Sequence, residues 1–110
     1  MSSGKKAISC PVETTLRIIG GRWKVLVLHE LLDGMHRFSE LDRALPGISN
    51  RTLTRQLREL ETHGVIDRKV YREVPPRVEY RLTKLGKSLE GILLAMHEWG
   101  TKHQGRSAKR

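Results

Sequence analysis

The stretch that decides the fold runs from residue 46 to residue 64 and reads PGISNRTLTRQLRELETHG. Ser49 is a favourable N-cap and Gly64 a favourable C-terminal stop. A helix is therefore predicted from Asn50 to His63. Its buried stripe consists of leucines at i, i+4 and i+7: Leu53, Leu57 and Leu60. Its opposite face carries arginines: Arg51, Arg55 and Arg58. One face of this helix is thus expected to pack on a core, while the other presents positive charge.

A shorter helix is predicted just before this one. Ser39 is its expected N-cap. Leu41 and Leu45 of this helix share one face with Phe38, the residue before the cap. Pro46-Gly47 ends it only two residues before Ser49. Two helices separated by so tight a turn form the outline of a helix-turn-helix.

A β-hairpin is predicted after the arginine-bearing helix. Val78, Tyr80 and Leu82 alternate with charged residues, as in a half-buried strand. Residues 66–74 can pair with that strand across Pro75-Pro76, and prolines belong at the tip because they cannot donate ladder hydrogen bonds. Basic residues stud the hairpin: Arg68, Lys69, Arg72, Arg77 and Arg81. The predicted fold is mainly α with a small β-hairpin wing (α+β), a winged helix-turn-helix.

Further helices flank this motif on both sides. The first begins at Pro11 and ends at Gly20-Gly21, and a core helix follows from about Trp23 to Leu32. Met35 to Phe38 is predicted to be a connector or a brief strand. Thr83 is the expected cap of one long last helix, with an apolar stripe from Leu85 to Trp99. The predicted organisation is a flexible arm over 1–9, the domain over 10–102 and a disordered basic tail over 103–110.

The charge balance points to a polyanionic partner. Lysine and arginine number 21 against 12 aspartates and glutamates, a formal charge of +9 on 110 residues. A chain of 110 residues fits one domain, so this charge is carried by a small protein. Six of the basic residues lie in the terminal segments, so the position of the others matters more than the total.

Several classes of protein are disfavoured by the sequence. No apolar run approaches the roughly 20 residues that span a bilayer, and no signal peptide is recognisable, so a cytoplasmic protein without membrane contact is expected. One cysteine and five scattered histidines predict neither a metal site nor a cofactor. The chain contains no glycine-rich phosphate loop, nucleophile elbow or paired carboxylates, so an enzyme is not expected.

The predicted partner is double-stranded DNA. A helix fits the major groove, where residues near its N-terminus reach base edges. The residues expected to do so are Ser49, Asn50, Arg51, Thr52, Arg55 and Arg58. Lys69, Arg72 and Arg77 of the wing are expected to meet phosphate or the adjacent minor groove. The alternative for the helix arginines is a solvated surface, paired with Glu59 and Glu61.

From Cys10 to Gly100 the sequence closely resembles the HxlR family of bacterial winged-helix regulators. The resemblance lies in Cys10-Pro11-Val12, Gly20-Gly21-Arg22-Trp23, Arg37-Phe38-Ser39-Glu40-Leu41, Pro46-Gly47-Ile48-Ser49, the leucines and glycine at 53, 57, 60 and 64, Val74-Pro75-Pro76-Arg77-Val78-Glu79-Tyr80 and Leu82-Thr83-Lys84-Leu85-Gly86. It implies a transcription regulator that binds a palindromic or near-palindromic operator as a homodimer, held by the first and last helices.

For this chain the resemblance suggests a dimer interface between the apolar faces of those two helices: Val12, Leu16 and Ile19 packing near Leu89, Ile92, Leu93, Met96 and Trp99 of a partner. Closed twofold symmetry is the commonest assembly, which favours the dimer. The alternative is that these stripes close the core of the monomer.

The resemblance also draws attention to Cys10, because several family members respond to electrophiles, disulfide stress or hypochlorite through a cysteine here. The residue lies just ahead of a helix N-terminus, with Lys5 and Lys6 nearby in sequence, and both features favour the thiolate. Without a second cysteine, oxidation could give a Cys10–Cys10 bridge between subunits, a mixed disulfide or an oxyacid. The alternative is an unreactive thiol in a regulator that senses a small molecule, or nothing.

Two other functions stay open at this point. One is a winged helix that contacts RNA or protein, although the few aromatic residues argue against base stacking. The other is a non-specific architectural DNA-binding protein. Both a regulator and an architectural protein would bind DNA with steep salt dependence, but only a regulator would strongly prefer one sequence.

Overall fold

A computed structural model describes residues 10–108 of the chain. Helices α1 (Pro11–Ile19) and α2 (Trp23–Leu31) are followed by β1 (His36–Arg37), α3 (Phe38–Ala44), α4 (Asn50–Thr62), β2 (Ile66–Tyr71), β3 (Arg77–Leu82), α5 (Lys84–Lys87) and α6 (Glu90–Ala108). Helices α3 and α4 form the helix-turn-helix, and β2 and β3 form the wing. The predicted mainly α, winged fold is confirmed. The predicted flexible arm over 1–9 lies outside the described residues, as do residues 109 and 110.

The core lies where α2 and α4 meet and is closed by the sheet. The leucine stripe of α4 is fully buried, as predicted, and Val27, Leu28 and Leu31 of α2 are buried with it. Ile66, Tyr80 and Leu82 cover this core from the sheet. Burying one such leucine contributes about 1.5–3 kcal/mol to folding. Because the leucine face of α4 is fixed in the core, the arginine-bearing face on the other side of the helix points outward.

The sheet has three antiparallel strands in the order β1-β3-β2, one more than the predicted hairpin. His36 pairs with Tyr80, and Arg37 pairs with Glu79. The segment predicted as a connector or a brief strand therefore contains a brief strand. Along the wing, Ile66 pairs with Leu82 and Tyr71 with Arg77. The register places Tyr71 and Arg77 directly opposite each other at the wing tip, next to Pro75-Pro76 as predicted.

Helix α3 begins two residues earlier than predicted. Its N-cap is Arg37, whose backbone N–H donates a hydrogen bond to Glu40 Oε1 at 2.7 Å. Ser39, the predicted cap, lies inside the helix. The Glu40 carboxylate reaches back over three residues and satisfies the N–H group of Arg37, as the N3 glutamate of a capping box does.

The predicted single last helix is two helices. Thr83 caps the short α5, accepting a hydrogen bond from the Gly86 N–H at 3.0 Å and donating one to the Gly64 carbonyl at 2.6 Å. A Cβ on Gly86 would lie 2.0 Å from the Val65 carbonyl oxygen, so this turn is packed directly against the junction of α4 and β2. That tertiary contact fixes α5, and α6 starts afresh at Glu90.

Helix α6 also extends further than predicted. It ends at Ala108, so residues 103–108, expected to belong to a disordered tail, are helical. The rings of Trp99 and His103 stack with centroids 4.1 Å apart, and Lys102 Nζ lies 3.8 Å from Glu98 Oε2. Such i, i+4 pairs stabilise a helix that composition alone does not mark as structured. No helix between residues 10 and 108 has the length and apolar character that crossing a bilayer requires.

Candidate nucleic-acid interface

The N-terminus of α4 is fixed by its cap. Ser49 Oγ accepts a hydrogen bond from the Thr52 N–H at 3.1 Å and donates one to Thr52 Oγ1 at 3.0 Å. The turn before it passes through Gly47, whose φ of 93° is strained for other residues. Ser49 and Thr52 thus hold the end of α4 in place, while the neighbouring side chains are left to reach outward.

The outward face of α4 forms a shallow open groove of about 570 Å³. Its lining includes four of the predicted DNA-binding residues and three that the prediction omitted: Asn50, Arg51, Arg55 and Arg58, then Thr54, Glu59 and Thr62. Thr54 is four residues after Asn50, and Thr62 four after Arg58, so helical spacing alone could have identified both. The groove gathers three cations and several hydrogen-bonding groups on one side of a helix.

Glu59 and Glu61 of α4 form their ion pairs with residues of other elements. Glu59 Oε1 lies 2.5 Å from Lys24 Nζ of α2, whose side chain is only 13% exposed. Glu61 Oε1 lies 3.7 Å from Arg68 Nε of the wing. The two glutamates that could have neutralised the arginine face instead join α4 to its neighbours. Within residues 10–108, Arg51, Arg55 and Arg58 form no ion pair.

The hydrogen bond and the charge of Lys24 hold the pKa of Glu59 below its ordinary value of 4.5. A carboxylate whose pKa is lowered by folding stabilises the protein above its unfolded pKa, and this contribution is lost as the pH falls through the folded value. The Lys24–Glu59 pair is therefore expected to support the fold at neutral pH and to fail in acid.

We expect Glu59→Gln to be less stable than the wild-type chain at pH 7 and equally stable once the pH is below the lowered pKa of folded Glu59, because both carry a neutral side chain there. Urea unfolding between pH 3 and pH 7 measures this. Glu98→Gln is the control, since Glu98 is 72% exposed and 3.8 Å from Lys102. A Glu59→Gln deficit that persists unchanged into acid would contradict the assignment.

The predicted wing residues do not share one environment. Lys69 and Arg72 are exposed, and Lys69 Nζ lies 5.0 Å from the centre of the Tyr71 ring. Arg77 is only 28% exposed. Its guanidinium lies over the same ring, with Cζ 4.0 Å from the ring centre, and contacts Glu73 and Glu79. Of the three predicted phosphate-binding residues, two are open to a ligand and one is held within the wing.

The predicted dimer interface contains both buried and exposed residues. Ile19 and Leu93 belong to the core of the monomer, and Leu89 is half-buried against it. The remaining residues are exposed: Val12, Leu16, Ile92, Met96 and Trp99. Leu26 of α2 and Leu94 of α6, which were not predicted, are exposed apolar residues as well. The monomer closes part of each stripe and leaves an apolar surface on α1 and α6.

Cys10 is exposed and is the N-cap residue of α1. Its carbonyl accepts the Glu13 N–H at 2.8 Å, and its thiol makes no capping hydrogen bond. Lys5 and Lys6, expected to act on this thiol, lie outside the described residues. In the described part of the chain no three metal-ligating side chains come together.

The helix-turn-helix, the wing and the arginine face agree with the comparison to known families. The family model of HxlR-like helix-turn-helix proteins matches residues 18–108. The chain belongs to the HxlR family. It is 55% identical over 100 residues to the HTH-type transcriptional regulator YdeP of Bacillus subtilis (strain 168), covering 91% of this chain and 78% of YdeP.

Solved structures of similar proteins carry the same fold. The redox regulator HypR in its reduced form is 48% identical and superimposes with a TM-score of 0.86, covering 92% of this chain and all of that one. Its oxidised form is 53% identical with a TM-score of 0.82, covering 84% and 96%. This HxlR chain is a transcriptional regulator with a helix-turn-helix DNA-binding fold, and its relatives are regulators rather than enzymes.

Proposed function

We propose that this HxlR protein is a sequence-specific regulator that binds a palindromic operator in double-stranded DNA as a homodimer. One observation carries the proposal: the outward face of α4 holds three arginines whose potential carboxylate partners are engaged elsewhere. A free guanidinium can bind guanine O6 and N7 bidentately, which discriminates against a wrong base by about 1–3 kcal/mol.

The wing supplies affinity rather than sequence information. Lys69 and Arg72 project from an exposed hairpin beside the helix-turn-helix, where side chains meet phosphate. Asn50, at the first turn of α4, adds an amide that suits adenine N6 and N7. We assign base reading to α4 and phosphate binding to the wing.

The homodimer rests on the exposed apolar surface of α1 and α6. Leu16 of α1 is 55% exposed and Trp99 of α6 is 65% exposed, and Val12, Ile92 and Met96 of the same two helices are exposed as well. Pairing this surface with its own copy would remove it from water, and a twofold dimer would place two α4 helices on inverted half-sites about one helical turn, roughly 34–36 Å, apart.

Selection of binding sites from a random duplex library tests the function. We expect enrichment of an inverted repeat whose half-sites are about 10 base pairs apart, centre to centre. A single enriched half-site would contradict the dimer. A pool with no enriched sequence would contradict the specific regulator and favour the alternative, a non-specific architectural DNA-binding protein that uses the +9 charge.

We also propose that Cys10 makes operator binding sensitive to thiol oxidants. The thiol is exposed at the start of α1, one of the two helices assigned to the dimer, and the similar HypR is a redox regulator. Diamide would take two electrons and two protons from two Cys10 thiols and leave one S–S bond between protomers.

We expect diamide to change the operator affinity of the wild-type protein and to produce a covalent dimer that is visible on a non-reducing gel. In Cys10→Ser we expect neither the change in affinity nor the covalent dimer. Ser9→Cys, Cys10→Ser, which moves the thiol by one residue, is the matched control. If Cys10→Ser keeps its full diamide sensitivity, Cys10 is not the sensor.

A further inference from the structure

Arg77 has an environment unlike that of the other basic residues of the wing. It opens β3 directly opposite Tyr71, and its Cζ lies 4.0 Å from the centre of the Tyr71 ring. At this distance the cation lies over the negative face of the ring and is attracted to it. Lys69 Nζ is 5.0 Å from the same ring, so Tyr71 contacts a cation from each strand of the hairpin.

Two carboxylates hold the same guanidinium. Arg77 Nη2 lies 3.2 Å from Glu73 Oε2, and Nε lies 3.6 Å from Glu79 Oε2. The Nε atom is buried and forms no hydrogen bond within the described residues, since 3.6 Å is too long for one. A phosphate that approached Arg77 through Nε and Nη2 would have to displace Glu73 and reach a buried atom.

Arg72 has the opposite character. It is exposed, it precedes Glu73 at the wing tip, and no carboxylate between residues 10 and 108 lies within ion-pair distance of it. In the segment from Tyr71 to Arg77, Arg72 is therefore the arginine without an ion pair. It lies between Tyr71 and Arg77, which contact each other across the hairpin.

We infer that Arg77 is a positioning residue: stacked on Tyr71 and held by Glu73 and Glu79, it clamps the wing tip so that Arg72 contacts the DNA phosphate. This inference rests on the proposed function and reassigns Arg77, which the sequence predicted as a direct DNA contact. The clamp itself belongs to the free protein and can be measured without DNA.

Tyr71→Leu separates the two roles, because it removes the ring and leaves the charge of Arg77 in place, while Tyr71→Phe keeps the ring as the control. Affinity for the selected operator is measured over a range of salt concentrations. One phosphate contact changes the slope of log K against log[salt] by about 0.9, which corresponds to about fivefold in affinity at 0.15 M salt. We expect this reduction of the slope and of the affinity in Arg72→Gln. We expect the same reduction in Tyr71→Leu, although that substitution removes no charge. We expect Arg77→Gln to add little in the Arg72→Gln background.

If Tyr71→Leu binds like Tyr71→Phe while Arg77→Gln lowers the slope on its own, Arg77 contacts phosphate directly and the inference is wrong. Amide hydrogen exchange of the DNA-free protein gives a second reading. We expect faster exchange in β2 and β3 next to the tip in Tyr71→Leu and Arg77→Gln, but not in Tyr71→Phe. Wild-type exchange in both variants would also overturn the clamp, whereas failure of the wild-type protein to bind DNA specifically would overturn only the proposed function.

Discussion

Replacing Arg51 and Arg55 together with glutamine is expected to lower the affinity for the selected operator by about 30-fold or more, since each bidentate guanine contact is worth about 1–3 kcal/mol and separate contacts add. Both side chains are exposed on the outward face of α4 and form no ion pair in the described part of the chain. Their removal should leave the fold intact, because the opposite leucine face carries the packing.

The decisive quantity is the ratio of Kd values for the operator and for a scrambled duplex, measured in a fluorescence anisotropy titration. The control is Lys84→Gln, Lys102→Gln, which removes the same charge from α5 and α6 instead. We expect the control to weaken binding to both duplexes slightly and equally, while the Arg51, Arg55 variant loses its preference. A variant that keeps the wild-type ratio would show that α4 does not read the sequence.

The second large effect is expected from Leu16→Glu. Leu16 is 55% exposed in the monomer, so the substitution should leave the folding of one chain almost unchanged. In the proposed dimer it places a charge from each protomer in an apolar interface, which costs several kcal/mol for each ion. We expect a monomer in sedimentation equilibrium and about a 100-fold or greater loss of affinity for the full palindrome, since the two half-sites are no longer bound as one unit.

The matched control for Leu16→Glu is Met35→Glu, which adds the same charge at a residue 46% exposed but outside α1 and α6. It should remain a dimer and bind the palindrome normally. If Leu16→Glu sediments with the wild-type protein and binds equally well, the apolar surface of α1 is not the dimer interface. A single half-site duplex should be bound about equally by all three proteins, because α4 is unchanged.

Sequence alone was sufficient for the elements whose signals are local. Helix α4 was predicted from Asn50 to His63 and runs from Asn50 to Thr62, because its cap, its period and its stop all lie within those residues or next to them. The wing strand from Arg77 to Leu82 was likewise apparent from its alternation. The pairing of β1 with β3 joins residues more than 40 positions apart, and no local pattern indicates it.

The division of the last helix shows where local rules fail. Its apolar stripe continues from Leu85 to Leu89 and Ile92 without a break, so periodicity favours one helix. What separates α5 from α6 is the contact of Gly86 with the backbone of Val65 and the double hydrogen bonding of Thr83. These are tertiary contacts, which override the preference of the segment.

The candidate site was predicted in position but not in its internal pairing. The helical period predicted the arginine face of α4. It could not predict that Glu59 pairs with Lys24, because Lys24 is 35 residues away in sequence. The same holds for the apolar stripes, in which Leu93 is 2% exposed and Trp99 65%. A stripe of similar residues does not reveal which of them the monomer itself covers.

Specific operator recognition is tested by titrating the reduced protein against its selected operator and a scrambled duplex of equal composition at about 0.15 M salt. We expect the Kd for the operator to be at least about 10³-fold lower than the Kd for the scrambled duplex, the usual minimum by which specific regulators exceed their non-specific binding. Equal Kd values for the two duplexes would contradict specific recognition.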